Sequence, residues 1–139
     1  MLVSKYKHSI DAKGRVFIPA KYRTDLGERF YVQLAQGGCL RCYSAEEWGN
    51  VLAKIVNSTA KSINLRRRLC ASTSEVEMDS QGRLLLTEDM RTHAQLTDTA
   101  FVVGMGNWAE IWNPEALDRA MKEAYEEVDT DLMDELGIC

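Results

Sequence analysis

Two arginines stand out, each placed directly after a glycine and four residues after an aspartate. Arg15 closes Asp11-Ala-Lys-Gly-Arg, and Arg83 closes Asp79-Ser-Gln-Gly-Arg. A guanidinium presents a planar fork of donors that can grip a phosphate or the O6 and N7 edge of guanine. An aspartate four residues earlier can pair with that fork across a turn and orient it. From one copy alone, a surface ion pair of little energetic weight is the simpler reading. A second copy at the same spacing weighs against that reading.

The same turns explain their other residues. Asp11 and Asp79 can accept a hydrogen bond from the backbone two residues on, and Gly14 and Gly82 can supply a positive φ. No positioned base or ligand cluster accompanies the two aspartates, so catalysis or metal binding by them is disfavoured. Lys5, Lys7, Lys13 and Lys21 surround the first turn and suit phosphate steering, whereas the second turn has Ser80-Gln81 where the first has Ala12-Lys13. The first turn should therefore carry more of the non-specific affinity. Arg23 and Arg91 end short helical stretches and read as structural caps.

Other candidate chemistry is thin. Cys39-Leu-Arg-Cys42 has the spacing of half a zinc site, but Cys70, Cys139, His8 and His93 are scattered. A structural zinc needs about four ligands, so the pair reads as core cysteines and no metal is expected. Gly104-Met-Gly106 is too short for a nucleotide loop, and no nucleophile elbow, P-loop or His-Glu-x-x-His sequence occurs. The expectation is a protein without enzymatic activity, cofactor or small-molecule substrate.

The elements that must position the arginines form an internal repeat. DAKGRVFIPAKYR (11–23) recurs as DSQGRLLLTEDMR (79–91) at a constant offset of 68. Around each copy the pattern predicts a strand, the Asp–Gly turn, a returning strand and a short helix. These are 5–10, 11–14, 15–18 and 20–23 in the first half, then 75–78, 79–82 and 83–86 in the second. Pro19 suits the first helical turn, and Thr87, in the equivalent place, can N-cap instead. Each half continues with a hairpin: 30–34 with 39–43 around Gly37-Gly38, and 99–103 with 108–112. Ser44-Ala-Glu-Glu47 is a capping box opening a helix with the stripe Trp48, Val51, Leu52, Ile55 and Val56, closed by Asn57-Ser-Thr59. Asn113-Pro114-Glu115 opens another, with Leu117, Met121, Ala124 and Val128 as its expected buried stripe. Ala60, Ile63 and Cys70 hint at a connecting helix carrying Arg66-Arg67-Arg68.

The parts are a first repeat at 1–57, a connector at 58–74, a second repeat at 75–128 and an acidic tail at 129–139, expected to be frayed or disordered. One strand–turn–strand unit leaves open edges, so the two should pair edges around a pseudo-two-fold axis and share one core. The chain has 139 residues and a net charge of −4, but the charge is polarised. Residues 1–29 carry a balance of +4 and residues 110–139 one of −8. Without its C-terminal segment the chain is basic, so the overall acidity does not exclude a nucleic-acid partner. No run is long and apolar enough to span a membrane or serve as a signal peptide, and sparse cysteines suggest a reducing, cytoplasmic setting.

The two DxxGR turns, the IPAKYR continuation, the GCLRCYSAEEW segment and the VVGMGNWAEIWNPE segment resemble the MraZ family of bacterial transcriptional regulators, from about Tyr6 to about Lys122. The resemblance implies an α+β fold of two tandem, pseudo-symmetric swapped-hairpin β-barrel half-units of the AbrB type, with short helices, assembled into a homo-oligomeric ring. It implies nucleoid-associated, sequence-specific DNA binding upstream of the division and cell-wall gene cluster, including the protein's own operon. It assigns DNA contact to a DxxxR element, here Asp11 with Arg15 and Asp79 with Arg83. The competing readings are an antitoxin binding a toxin and DNA, a self-assembling structural protein, and an enzyme of unrecognised chemistry. Antitoxins of this group usually carry one hairpin unit and a long tail, unlike the two units here.

Overall fold

The turn at the start of each repeat forms as its residue types dictate, but the strands around it pair across the repeats. A computed structural model describes residues 1–58, 62–127 and 129–138. In the first repeat, β1 (Lys5–Ser9) leads through the turn to β2 (Arg15–Phe17), α1 (Ala20–Leu26), β3 (Arg29–Leu34), β4 (Leu40–Ser44) and α2 (Ala45–Val56). After α3 (Ser62–Ala71), the second repeat gives β5 (Thr73–Glu77), β6 (Arg83–Leu85), α4 (Glu88–Ala94), β7 (Thr99–Gly104), β8 (Ala109–Trp112) and α5 (Pro114–Glu126), followed by α6 (Thr130–Leu136).

Six strands form one antiparallel sheet in the order β1-β7-β8-β4-β3-β5, and β2 pairs with β6 in a separate ribbon. Exchanging the two repeats leaves both orders unchanged. β1 lies on β7 of the other repeat and β5 on β3, so each repeat lends its first strand to its partner. β1 and β2 are joined across their turn only by the isolated bridge Ile10↔Val16. The half-units expected as barrels do not close: the large sheet is open, with β1 and β5 at its edges.

The core lies between sheet, ribbon and short helices. Val16 and Leu84 from the ribbon, Ile18 and Leu86 just beyond it, Tyr22, Phe30, Leu40, Met90 and Ile111 are all buried. Both repeats supply it, so neither can bury its apolar side alone.

Local signals hold at most caps. Thr87 Oγ1 accepts from Met90 N–H at 3.2 Å, and Asn113 Oδ1 from Ala116 N–H at 3.0 Å. Ser44 Oγ accepts from Glu47 N–H at 3.1 Å, but Glu47 Oε2 accepts from Asn107 Nδ2 at 3.3 Å instead of closing the box. Asn57 and Ser58 close α2 through bonds to Ala53 and Ile55 carbonyls. Thr59 and Ala60 lie outside the described residues, as do Val128 and Cys139.

Three further expectations need correction. Among the described residues of the α5 stripe only Leu117 is buried; Met121, one turn on, is half-buried and Ala124 is exposed, so burial fades along the helix. In α2, Val56 is exposed at the helix end. The tail forms α6, whose start is capped by Asp129 Oδ1 accepting from Leu132 N–H at 2.9 Å and whose end is the left-handed Gly137. No residue of α6 is buried. Among the described residues, no helix is long and apolar enough to cross a membrane.

Candidate nucleic-acid interface

The aspartate of each turn works as a double acceptor. Asp11 Oδ1 accepts from Lys13 N–H at 3.0 Å and Arg15 N–H at 2.9 Å, while Oδ2 accepts from Arg15 Nε at 2.7 Å. Asp79 repeats this: Oδ1 accepts from Gln81 and Arg83 N–H, both at 2.9 Å, and Oδ2 from Arg83 Nε at 2.7 Å. The turn geometry needs Gly14 and Gly82 at φ +81° and +79°. The backbone bond from the arginine is the main cause that holds each aspartate's carboxyl below its ordinary value, and the arginine side chain adds to it.

Nε is therefore occupied in both arginines, which leaves the Nη end of each fork for another acceptor pair. Both arginines sit on the ribbon, in the register pairs Arg15↔Leu85 and Phe17↔Arg83. The middle pair, Val16↔Leu84, turns into the core. Strand alternation therefore puts Arg15, Phe17, Arg83 and Leu85 on the outward face. The turns are also bonded to each other's repeat: Gly82 C=O accepts from Ile18 N–H at 3.0 Å, and Gly14 C=O from Leu86 N–H at 2.9 Å.

The arrangement is not fully symmetric. Arg83 Nη1 lies 3.9 Å from Asp11 Oδ2, so the first aspartate faces both arginines. The groove beside the second turn is lined by Glu28 and Glu77 along with Arg15, Asp79 and Arg83.

Sequence comparison places these features in a family. The model described as "MraZ protein, putative antitoxin-like" matches twice, over residues 1–68 and 69–135. The chain belongs to the MraZ family. It is 38% identical to the Transcriptional regulator MraZ of Thermoanaerobacter pseudethanolicus, covering 99% of this chain and all of that one. The MraZ of Acetivibrio thermocellus is 38% identical, with 90% and 86% covered, and that of Ligilactobacillus salivarius 37%, with 93% and 92%. Each of the two MraZ matches contains one Asp–Arg latch.

The structure places the lysines less uniformly than the latches. Lys13 is exposed in the first turn, while Lys5 and Lys7 lie on β1, their Nζ atoms 5.2 and 5.9 Å from the centre of the Phe101 ring. By strand rise, Lys7 is roughly 13 Å and Lys5 roughly 20 Å from Asp11. Arg23 Nε donates to Ile18 C=O at 2.9 Å, a structural bond, and Arg91 lies against Gly14. Cys39 and Cys42 are both buried; burial, then the Glu110 carboxylate, push the Cys39 thiol up to about 12. Cys42 is raised too, with burial again the largest cause.

Two features escape sequence reasoning. Arg41 and Glu110 face each other across β4 and β8, with Arg41 Nε 3.6 Å from Glu110 Oε2. Glu110 also accepts from Trp108 Nε1 at 3.2 Å and Trp112 Nε1 at 3.0 Å. Nothing local marks two oppositely charged residues 69 positions apart as partners. Phe17 and Leu85 are the other case. Each is the middle residue of an apolar triplet, 16–18 or 84–86, whose outer two members are buried while strand alternation turns the middle one outward.

Proposed function

We propose that the protein is a transcriptional regulator that binds double-stranded DNA through the outward face of the β2–β6 ribbon. The observation that carries this reading is the pair of arginines, each tied at Nε by its own aspartate, with no hydrogen bond at the Nη end among the described residues; the nearest carboxylate there is Asp11, 3.9 Å from Arg83 Nη1. An arginine fixed in this way loses little freedom on meeting the O6 and N7 of a guanine, and a two-stranded ribbon fits the major groove. In this reading Arg15 and Arg83 read bases, Asp11 and Asp79 aim them, and Gly14 and Gly82 permit the turns. Lys13, Lys5 and Lys7 meet phosphates.

The finer reading is a nucleoid-associated homo-oligomeric ring acting at direct repeats upstream of the division and cell-wall gene cluster, its own operon included. Its support is the family resemblance together with the unequal turns. One chain offers two similar but non-identical readers, which do not require a perfect palindrome. A head-to-tail ring would present that pair at regular steps.

Fluorescence anisotropy on the duplex upstream of the protein's own reading frame, across a salt series, tests the proposal. Tight, salt-dependent binding that exceeds binding to a shuffled duplex is expected. Equal affinity for both duplexes would rule out sequence-specific recognition.

A further inference from the structure

We infer that Phe17 and Leu85 are specificity residues that contact the 5-methyl groups of thymines, one beside each latched arginine. The inference rests on the DNA-binding reading of the ribbon. Phe17 is 39% exposed and Leu85 58%. Their neighbours Val16, Ile18, Leu84 and Leu86, by contrast, are all at 2% or less. Outward positions of a strand with one buried face are normally polar. Here apolar side chains hold two of the four, in a checkerboard with the arginines: Arg15 opposite Leu85, Phe17 opposite Arg83.

The occupant follows from the surroundings. The Arg83 guanidinium lies 5.9 Å from the centre of the Phe17 ring, so the apolar and charged groups form one surface. Whatever the arginines meet, Phe17 and Leu85 meet also. A phosphate offers an apolar side chain nothing. On the base edges of the major groove, the apolar feature is the thymine methyl. Side chains directly opposite on paired strands are about 5 Å apart, and those two residues apart on one strand about 6.8 Å. Against a rise of about 3.4 Å per base pair, each thymine would lie within about two steps of a gripped guanine.

Deoxyuridine lacks only the methyl group, so it isolates this contact without altering the protein. A duplex selected by the protein from a random pool is synthesised with thymine and again with deoxyuridine, and affinity is measured for both. Loss of one buried methyl should weaken binding roughly fourfold, and more where several are contacted. The Phe17→Ser, Leu85→Ser double variant, checked for an unchanged melting temperature, should bind the two duplexes alike and still depend on salt. Equal wild-type affinity for both duplexes would overturn the inference while leaving DNA binding standing. So would a double variant that keeps the discrimination. If it also changes subunit number, the apolar pair belongs to a contact between copies. Failure of the wild type to select any duplex would remove the DNA-binding reading, and this inference with it.

Discussion

The guanidinium of Arg23 lies where a side chain on Gly82 would begin, so a β-carbon there would collide with it. Arg23 is held in place by its bond to Ile18 C=O. At Gly14, the equivalent turn of the other repeat, a β-carbon would meet Leu86 O at 3.5 Å and Arg91 Nε at 3.7 Å, ordinary contacts. Both glycines hold positive φ, so alanine at either should cost about 1–2 kcal/mol. Gly82→Ala must also dislodge Arg23 and should be the more destabilising. Urea denaturation of the two variants checks the order, and equal midpoints would contradict it.

Removing the arginines should separate binding from folding. Each side chain is partly exposed, and its ion pair with the adjacent aspartate contributes little to stability. Arg15→Ala and Arg83→Ala should each melt near the wild-type temperature while losing about 1–3 kcal/mol of specific DNA affinity. Lys13→Ala should flatten the salt dependence without relaxing sequence preference. Unchanged affinity in both arginine variants would place the DNA elsewhere.

The latches also set a pH expectation. Asp11 and Asp79 have carboxyls held below their ordinary value in the folded chain, so folding favours their ionised form. Their contribution is present above the ordinary aspartate value and is lost as pH falls through the lowered folded value. DNA affinity should therefore be insensitive to these two groups from about pH 8 down to about pH 5, well above ordinary aspartate values. Asp11→Asn and Asp79→Asn should lower the preference for the specific duplex over a shuffled one, since a looser arginine still attracts phosphate. Titrating affinity for both duplexes from neutral to acid pH tests the window and the sign.

Much of the geometry of this candidate site is legible in the sequence because it is local. The Asp11–Arg15 and Asp79–Arg83 turns, their glycines and the caps at Thr87 and Asn113 each depend on residues within a few positions. The pairing of β1 with β7 and of β3 with β5 is not local, and a hairpin-like pattern looks the same whether its strands stay together or swap. The N-terminal strap is hidden for a similar reason. Leu2 is buried where its backbone exchanges bonds with Gly106, while the carbonyls of Val3 and Ser4 share the single hydroxyl proton of Tyr22. The first four residues carry no pattern that predicts this.

The Arg41–Glu110 pair should matter to stability. Glu110 is 7% exposed and satisfies two tryptophan donors besides facing Arg41. Glu110→Ala would leave both indoles without their acceptor and the half-buried Arg41 without its counter-charge, with an expected cost of about 1–3 kcal/mol. Glu110→Gln, which keeps an acceptor oxygen, should cost less. Replacing both charges, Arg41→Met with Glu110→Leu, should recover part of the loss, because no half-buried arginine is left without its counter-charge. Chemical denaturation of the three variants measures this, and additive losses in the double variant would show that the pair is not coupled.

The proposed ring and the proposed direct repeats can be tested together. In a ring that presents the same pair of latches at regular steps, several weak contacts to one duplex act jointly, because each raises the effective concentration of the next. Cutting the DNA site to a single repeat should then nearly abolish binding, while two or more repeats at the natural spacing restore it. The acidic residues of 129–139 would repel phosphate if they faced the DNA, so in this arrangement they point away from it. No residue of α6 is buried, so removing the segment should leave the fold in place. Deleting 129–139 should therefore preserve both melting temperature and affinity for the repeats. Sedimentation on the protein alone and with duplexes of one, two and three repeats supplies the readout. Full affinity for one repeat by a monomeric protein would overturn the ring-and-repeat mechanism and leave DNA binding itself intact.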